Sequence, residues 1–337
     1  VRGVWDKHGD KVTPDVPKAL APWPEGAPRD RAGLARWLTS PDNPLTARVA
    51  VNHLWQMLFG QGLVRTTEDF GLQGERPIHQ DTLDWLAVDL AGHGWDLRRT
   101  LKLIVMSRTY RQDSSVTPAL LARDPENRYL ARGARFRLPS WMLRDAALRH
   151  AGLLNPALGG PPVRPYQPEG VWEELFMGRF KYEPSEGAAQ YRRTLYAFWR
   201  RSIAPTFLFD SAQRRSCEVR VGRTNTPLQA LTLQNDATYL EAAQAIAAEL
   251  LRTQGDAGRL QQLARKVLSR ELGDREAAPL GKTLEKARAY YRAQPADAAK
   301  FLKVGQRHPQ GADLAELAAW TLVASLVLNL DEAITRE

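Results

Sequence analysis

Apolar positions recur at helical spacing along most of this chain, most clearly from Ser40 to Val64, SPDNPLTARVAVNHLWQMLFGQGLV. Val49, Leu54, Trp55, Leu58 and Phe59 fall on one wide face, the pattern of a helix packed against a core. Asp42 or Asn43 is the expected cap and Pro44 the expected first helical residue, since a proline there loses no hydrogen bond. Gly60 and Gly62 end the helix. Arg48, Asn52 and Gln56, four apart, make a polar stripe beside the apolar one, read as a solvated face or an internal hydrogen-bond network.

The same reading extends along the chain. Asp30 caps a short helix carrying Leu34, Trp37 and Leu38. Asp81 or Gln80 opens one with Leu83, Trp85, Leu86 and Leu90, and Asp96 caps another with Leu97, Leu101, Ile104 and Val105. A helix is expected from Ser140 to Gly152, with a short extended piece around Ala134–Leu138. Tyr191–Ser202, basic and aromatic, reads as helical. Pro227 starts a helix, and long helices follow over 236–252, 256–270, 274–293, 295–305 and 313–330, with Asp236, Asp256 and Asp274 as N-caps. The fold class is mainly α, an irregular multi-helix bundle with long loops and little or no β-sheet. Residues 1–28 form a proline-rich extended connector, 29–155 an N-terminal helical part and 156–337 a C-terminal helical part with long loops, the two parts sharing one core or standing apart.

Composition narrows the function classes. With 43% apolar and 25% charged residues, the 337-residue chain has the make-up of a globular protein. Its longest apolar run, Ala318–Leu330, is shorter than the roughly 20 residues a membrane helix needs. The single cysteine, Cys217, excludes an internal disulfide and a two-cysteine haem attachment site. The net charge of +9 suits an anionic partner. The arginines run from Arg29 to Arg336 rather than in one block, which argues against nucleic acid. The histidines show no metal-ligand spacing, so no metal or cofactor is expected in this stretch. The start Val1-Arg2-Gly3, without methionine, reads as part of a longer protein.

The densest polar cluster is Asp210–Asp236. There Arg214, Arg215, Arg220 and Arg223 surround Asp210, Glu218, Asn225, Asn235 and Asp236. Arginine forks grip carboxylates and phosphates, so Arg214, Arg220, Arg223 and Asn225 are candidate ligands for an anion or sugar acid. The competing reading is that these pairs tie a long loop to the helices. Tyr166 and Trp172, with Phe176, sit on a glycine–proline loop, either as a sugar-stacking platform or with their rings turned inward. Asp69, His79, Asp210 and Asp331 are the candidate acids or bases. His79, just before a helix, is a cap or a base, with Asp69 its nearest plausible partner. No nucleophile elbow, phosphate loop or dinucleotide fingerprint is present.

Several long motifs resemble one family. They are PDNPLTARVAVNHLWQMLFGQGLV, the T-x-x-D-F-G-x-x-G-x-x-P-x-H run from Thr66 to His79, LDWLA, SRTYRQ, DPENRYLAR, LRDA, GGPPVRPYQPEGVW, YRRTLYAFWRR, RTNTPLQALTLQND and LNLDEAITRE. Together they are similar to the planctomycete-type PSD domain, domain of unknown function fifteen-fifty-three, over Asp30–Glu337, with His53 where the resemblance would put an arginine. The resemblance implies an accessory or interaction module at the end of a large exported protein, periplasmic or on the cell surface. Upstream domains of that protein, one of them cytochrome-c-like, are the implied partners, and any haem would belong there. It implies no reaction. The expected function is binding of a partner domain or an acidic glycan. The alternatives are an enzyme acting on an acidic polysaccharide and a docking module for a cytochrome-c-like redox domain.

Overall fold

The computed structural model describes residues 5–17, 19–175, 177–200, 207–210, 218–219, 222–307 and 313–336. These fall into two compact units, 1–135 and 136–336. The fold is mainly α: fourteen helices and one two-stranded ribbon among the described residues.

The first unit holds α1 (Arg31–Leu38), α2 (Thr46–Phe59), α3 (Gln80–Gly92), α4 (Leu97–Val105) and α5 (Pro118–Arg123). Asp30 caps α1 by accepting from the Ala32 and Gly33 amides, and Asp96 caps α4 by accepting from Arg99 N–H. Asn43 takes the amides of Leu45 and Thr46 at 3.0 and 3.2 Å; the regular turns begin at Thr46, two residues past Pro44. Gly60 closes α2 with φ +79°, a left-handed backbone that costs glycine least. Trp55 stacks on Phe59 at 4.1 Å and Tyr110 meets Phe59 edge-on at 5.7 Å. Leu83, Leu86, Leu90 and Ile104 complete this core.

The polar stripe of α2 is an internal network at its centre. Asn52 is wholly buried; its amide donates to Val64 O at 3.0 Å and its carbonyl accepts from Val64 N–H at 2.8 Å. The reciprocal pair satisfies a backbone segment that has no other ladder partner. A Cβ on Gly62 would sit 2.5 Å from the Asn52 amide, so glycine there lets the loop close onto the helix.

The second unit opens with β1 (Phe136–Arg137) and α6 (Ser140–His150), followed by α7 (Val171–Leu175). It continues with α8 (Pro227–Asn235), α9 (Ala237–Leu250), α10 (Asp256–Leu268), α11 (Asp274–Ala293), α12 (Pro295–Phe301) and α13 (Leu314–Leu328). The last elements are α14 (Asp331–Ile334) and β2 (Thr335–Arg336). Helix α13 is apolar on all sides and runs through the centre, packed on α9 and α11. Alanines on both partners, Ala242, Ala243 and Ala247 facing Ala318, Ala319 and Ala324, let the backbones approach. Around it Arg288 bridges Glu316 and Asp256 at 2.6 and 3.0 Å, and Glu316 also accepts from the Trp320 indole. Asp236 caps α9 as expected, whereas Asp256 and Asp274 lie one residue inside their helices, after Gly255 and Gly273. Among the described residues no helix is long and apolar enough to cross a membrane.

One sequence expectation fails here. Of the helix expected over Tyr191–Ser202, the described part, Tyr191–Arg200, is not helical: it is extended apart from a 3₁₀ turn at Thr194–Tyr196. Arg192 and Ala197 bridge to Asn155 and Val163. The carbonyls of Gln190 and Arg192 are taken by the buried Arg144 side chain, which replaces the bonds a helix would have made.

Candidate functional site

In the second unit several of the charged candidates come together where β1, β2, the 207–210 segment and the start of α8 meet. β1 and β2 pair antiparallel, Phe136 opposite Arg336 and Arg137 opposite Thr335. Alternation along β1 turns Arg137 inward, where it is 9% exposed and lies 5.6 Å from the Phe209 ring. Its Nη1 donates to Asn225 Oδ1, while Nε and Nη2 have no partner among the described residues. Burial holds this guanidinium below the usual arginine range, with Asp210, Tyr239 and Asp331 pulling it back up.

Asp210 holds the Thr224–Asn225 segment that lies on Arg137. Its backbone is left-handed at φ +57°, uncommon for a residue with a side chain. Its carboxylate accepts from Thr224 N–H at 2.7 Å, from Thr224 Oγ1 at 2.8 Å and from Gln229 Nε2 at 3.1 Å. Thr226 then caps α8, with Pro227 in its first turn. Outside, the Arg223 guanidinium lies 4.6 Å over the Phe136 ring. Of the residues named from sequence, the structure brings Asp210, Arg223, Asn225 and Asp331 to this one region; Arg214 and Arg220, with Phe176, Arg215, Cys217 and His308, lie outside the described residues.

Behind the ribbon a second arginine, Arg144 of α6, is fully buried. Nη1 donates to Arg192 O at 2.9 Å and to Thr194 Oγ1 at 3.2 Å, and Nη2 donates to Gln190 O at 2.9 Å. Its neighbour Asp145 accepts from both Thr194 N–H and Oγ1. The buried Tyr239 hydroxyl feels the charge of both guanidinia, and burial pushes its pKa well above the usual phenol range.

Tyr166 and Trp172 do not form a stacking platform. Trp172 is 0% exposed: its indole donates to Gln167 Oε1 at 2.6 Å, and Phe180, Tyr182 and Phe198 pack around it at 5.1–5.7 Å. The inward-turned reading is the one observed, because burying four rings outweighs leaving one to water. Burial also raises the Tyr182 hydroxyl to about 12. Tyr166 points toward Glu241 and Tyr191, and burial first, then the Glu241 charge, pushes its hydroxyl far up. Glu241, 1% exposed, accepts from Tyr191 OH and from the Gln306 and Arg307 amides at 2.8–2.9 Å.

In the first unit Asp69 and His79 are not partners. Asp69 accepts from Gly71 N–H at 2.7 Å and shapes its own turn; Thr66 Oγ1 donates to its carbonyl. His79 stands at the N-cap position of α3 without capping it, and its Nε2 bonds Arg128 O at 3.0 Å. Among the described residues no three histidine, cysteine or carboxylate side chains gather as a metal site.

Arg137, Arg144 and Glu241 were not singled out by sequence reasoning. The signal for Arg144 was there: it shares the apolar face of α6 with Ala147, Leu148 and Ala151.

No curated protein and no solved structure matches this chain. A family does. Residues 30–284, three quarters of the chain and including the ribbon's first strand, Asp210 and the α8 start, match PSD1, described as a protein of unknown function (DUF1553). The chain therefore belongs to the PSD1 family, whose function is unknown.

Proposed function

We propose that this chain is an accessory interaction module of a larger exported protein, and that its ribbon face recognises an anionic partner, in the first instance an acidic glycan. The observation that carries the reading is the convergence at one small ribbon of Arg137, Arg223 and Arg336 from three distant parts of the sequence. The ring of Phe136 beneath Arg223 fixes that guanidinium as a planar donor. On α8, which begins four residues after Arg223, Leu228 and Leu231 stand exposed, giving apolar area against which the C–H faces of a sugar can pack. The chain's net charge of +9 favours the encounter with an acidic partner. Upstream domains of the same protein, a haem-bearing one included, would then be tethered to whatever this face holds.

The test is an array of sulfated, uronate and neutral oligosaccharides probed with the whole chain at two salt concentrations. Binding to the acidic members that weakens with salt, and weakens further in Arg223→Ala, supports the reading. Equal binding to neutral and acidic members, or none to either, overturns it.

A further inference from the structure

Arg137 is buried with more donors than acceptors among the described residues. Three groups of its guanidinium can donate: Nη1 is matched by Asn225, and Nε and Nη2 are buried without a partner among the described residues. Those two N–H groups lie side by side along one edge of the plane. It is the edge with which arginine grips two oxygens of a single carboxylate, sulfate or phosphate in parallel hydrogen bonds. The nearby carboxylate of Asp210 is occupied by Thr224 and Gln229, so it offers charge but not this contact. A buried cation without a directly bonded counter-charge is costly, and the Tyr239 hydroxyl, buried in the same field, has no partner among the described residues.

We infer that the Nε–Nη2 edge of Arg137 is a recognition site for one oxyanion group of the anionic partner, reached when the Thr224–Asn225 segment lifts. This rests on the reading of the ribbon face given above and names the contact that selects within it. Asp210 is the latch of that cover: it holds Thr224 by both its amide and its hydroxyl, and Thr224 is followed directly by Asn225, which lies on the guanidinium. A group bearing one negatively charged oxygen, or a neutral amide, could engage one N–H but not both. The site therefore discriminates by geometry as well as by charge.

The experiment is an NMR titration of the ¹⁵N-labelled whole chain with sodium glucuronate and, separately, sodium sulfate, at constant ionic strength. The Arg137 Nε–H signal is identified by its loss in Arg137→Lys. We expect that signal to move saturably with both probes, and the affinity measured by calorimetry to fall roughly tenfold in Arg137→Lys, which keeps the charge and loses the fork. Thr224→Ala, which removes the latch hydroxyl and leaves Arg137 in place, should speed binding; it also keeps the test decisive if Arg137→Lys does not fold. An Nε–H signal that stays fixed in both wild type and Thr224→Ala overturns the inference. If it stays fixed while oligosaccharides still bind through Arg223, only this contact falls and the module reading stands. If it moves with the small anions while no oligosaccharide binds, the contact stands and the glycan reading falls.

Discussion

Replacing Arg144 by methionine sets two opposed effects against each other. Methionine is nearly as long and refills the space, and removing a buried charge relieves a desolvation cost that Asp145, 3.9 Å away, offsets only in part. For that reason alone the change would be neutral or stabilising. Against this stand the acceptors. The carbonyls of Gln190 and Arg192 are each held by an Arg144 N–H at 2.9 Å. Thr194 Oγ1 keeps Asp145 and drops out of the sum. Two orphaned carbonyls at about 1–3 kcal/mol each cost about 2–6 kcal/mol. After relief of the buried charge, about 2–4 kcal/mol of destabilisation should remain. With a urea slope of about 2 kcal/mol/M, the transition of the second unit, followed by tryptophan fluorescence, should move down by about 1–2 M. Arg144→Lys, with one compact ammonium for two separated carbonyls, should fall between. A methionine variant whose midpoint matches or exceeds wild type would show that charge burial outweighs carbonyl satisfaction here, and the reasoning would fail.

Other consequences follow from the same geometry. Asn52→Ala should cost about 2–4 kcal/mol, because both polar groups of Val64 lose their partner; unchanged hydrogen exchange at the Val64 amide would contradict it. Gly305→Ala forces a Cβ to 2.2 Å from Glu241 Cδ at a backbone φ of +72°, so its Tm should drop by several degrees. An unchanged Tm would mean the 305–307 loop is not clamped to Glu241. The Glu276 carboxyl is held down to about 2, by Arg270 first and the Gly273 amide second. Its folded-state pKa lies below the unfolded one, so its contribution is full above the ordinary glutamate value and drains as pH falls toward about 2. The pair is exposed to solvent and the effect correspondingly modest. Glu276→Gln should flatten the fall of Tm across that window, and an unaltered profile would refute the assignment.

What could be read in the sequence was what repeats or punctuates. Leu54, Trp55 and Phe59, the Asp30, Asp96 and Asp236 caps and the Gly60 stop stand where the pattern put them, while Val51 rather than Val49 is the buried valine of that helix. These signals are local, and local physics decides them. The charged interior was not legible because its partners are far apart in sequence. Arg137 meets Asn225 across 88 residues, and Tyr191 meets Glu241 across 50. A buried arginine is written with the same letter as a solvated one. The failure at Tyr191–Ser202 has the same root: its helical propensity lost to a side chain arriving from α6. Trp172 read equally as a platform or a plug, and only the arrival of Tyr182 and Phe198 decides between them.

The two-residue ribbon also makes the second unit a loop closed upon itself. Its opening and closing residues are hydrogen-bonded neighbours, about 5 Å apart across a ladder. A few-residue tether could join those ends and new termini be cut at an exposed turn elsewhere, so circular permutation is open to this unit. It could likewise be spliced as a cassette into a surface turn of a host protein, with little strain at either junction.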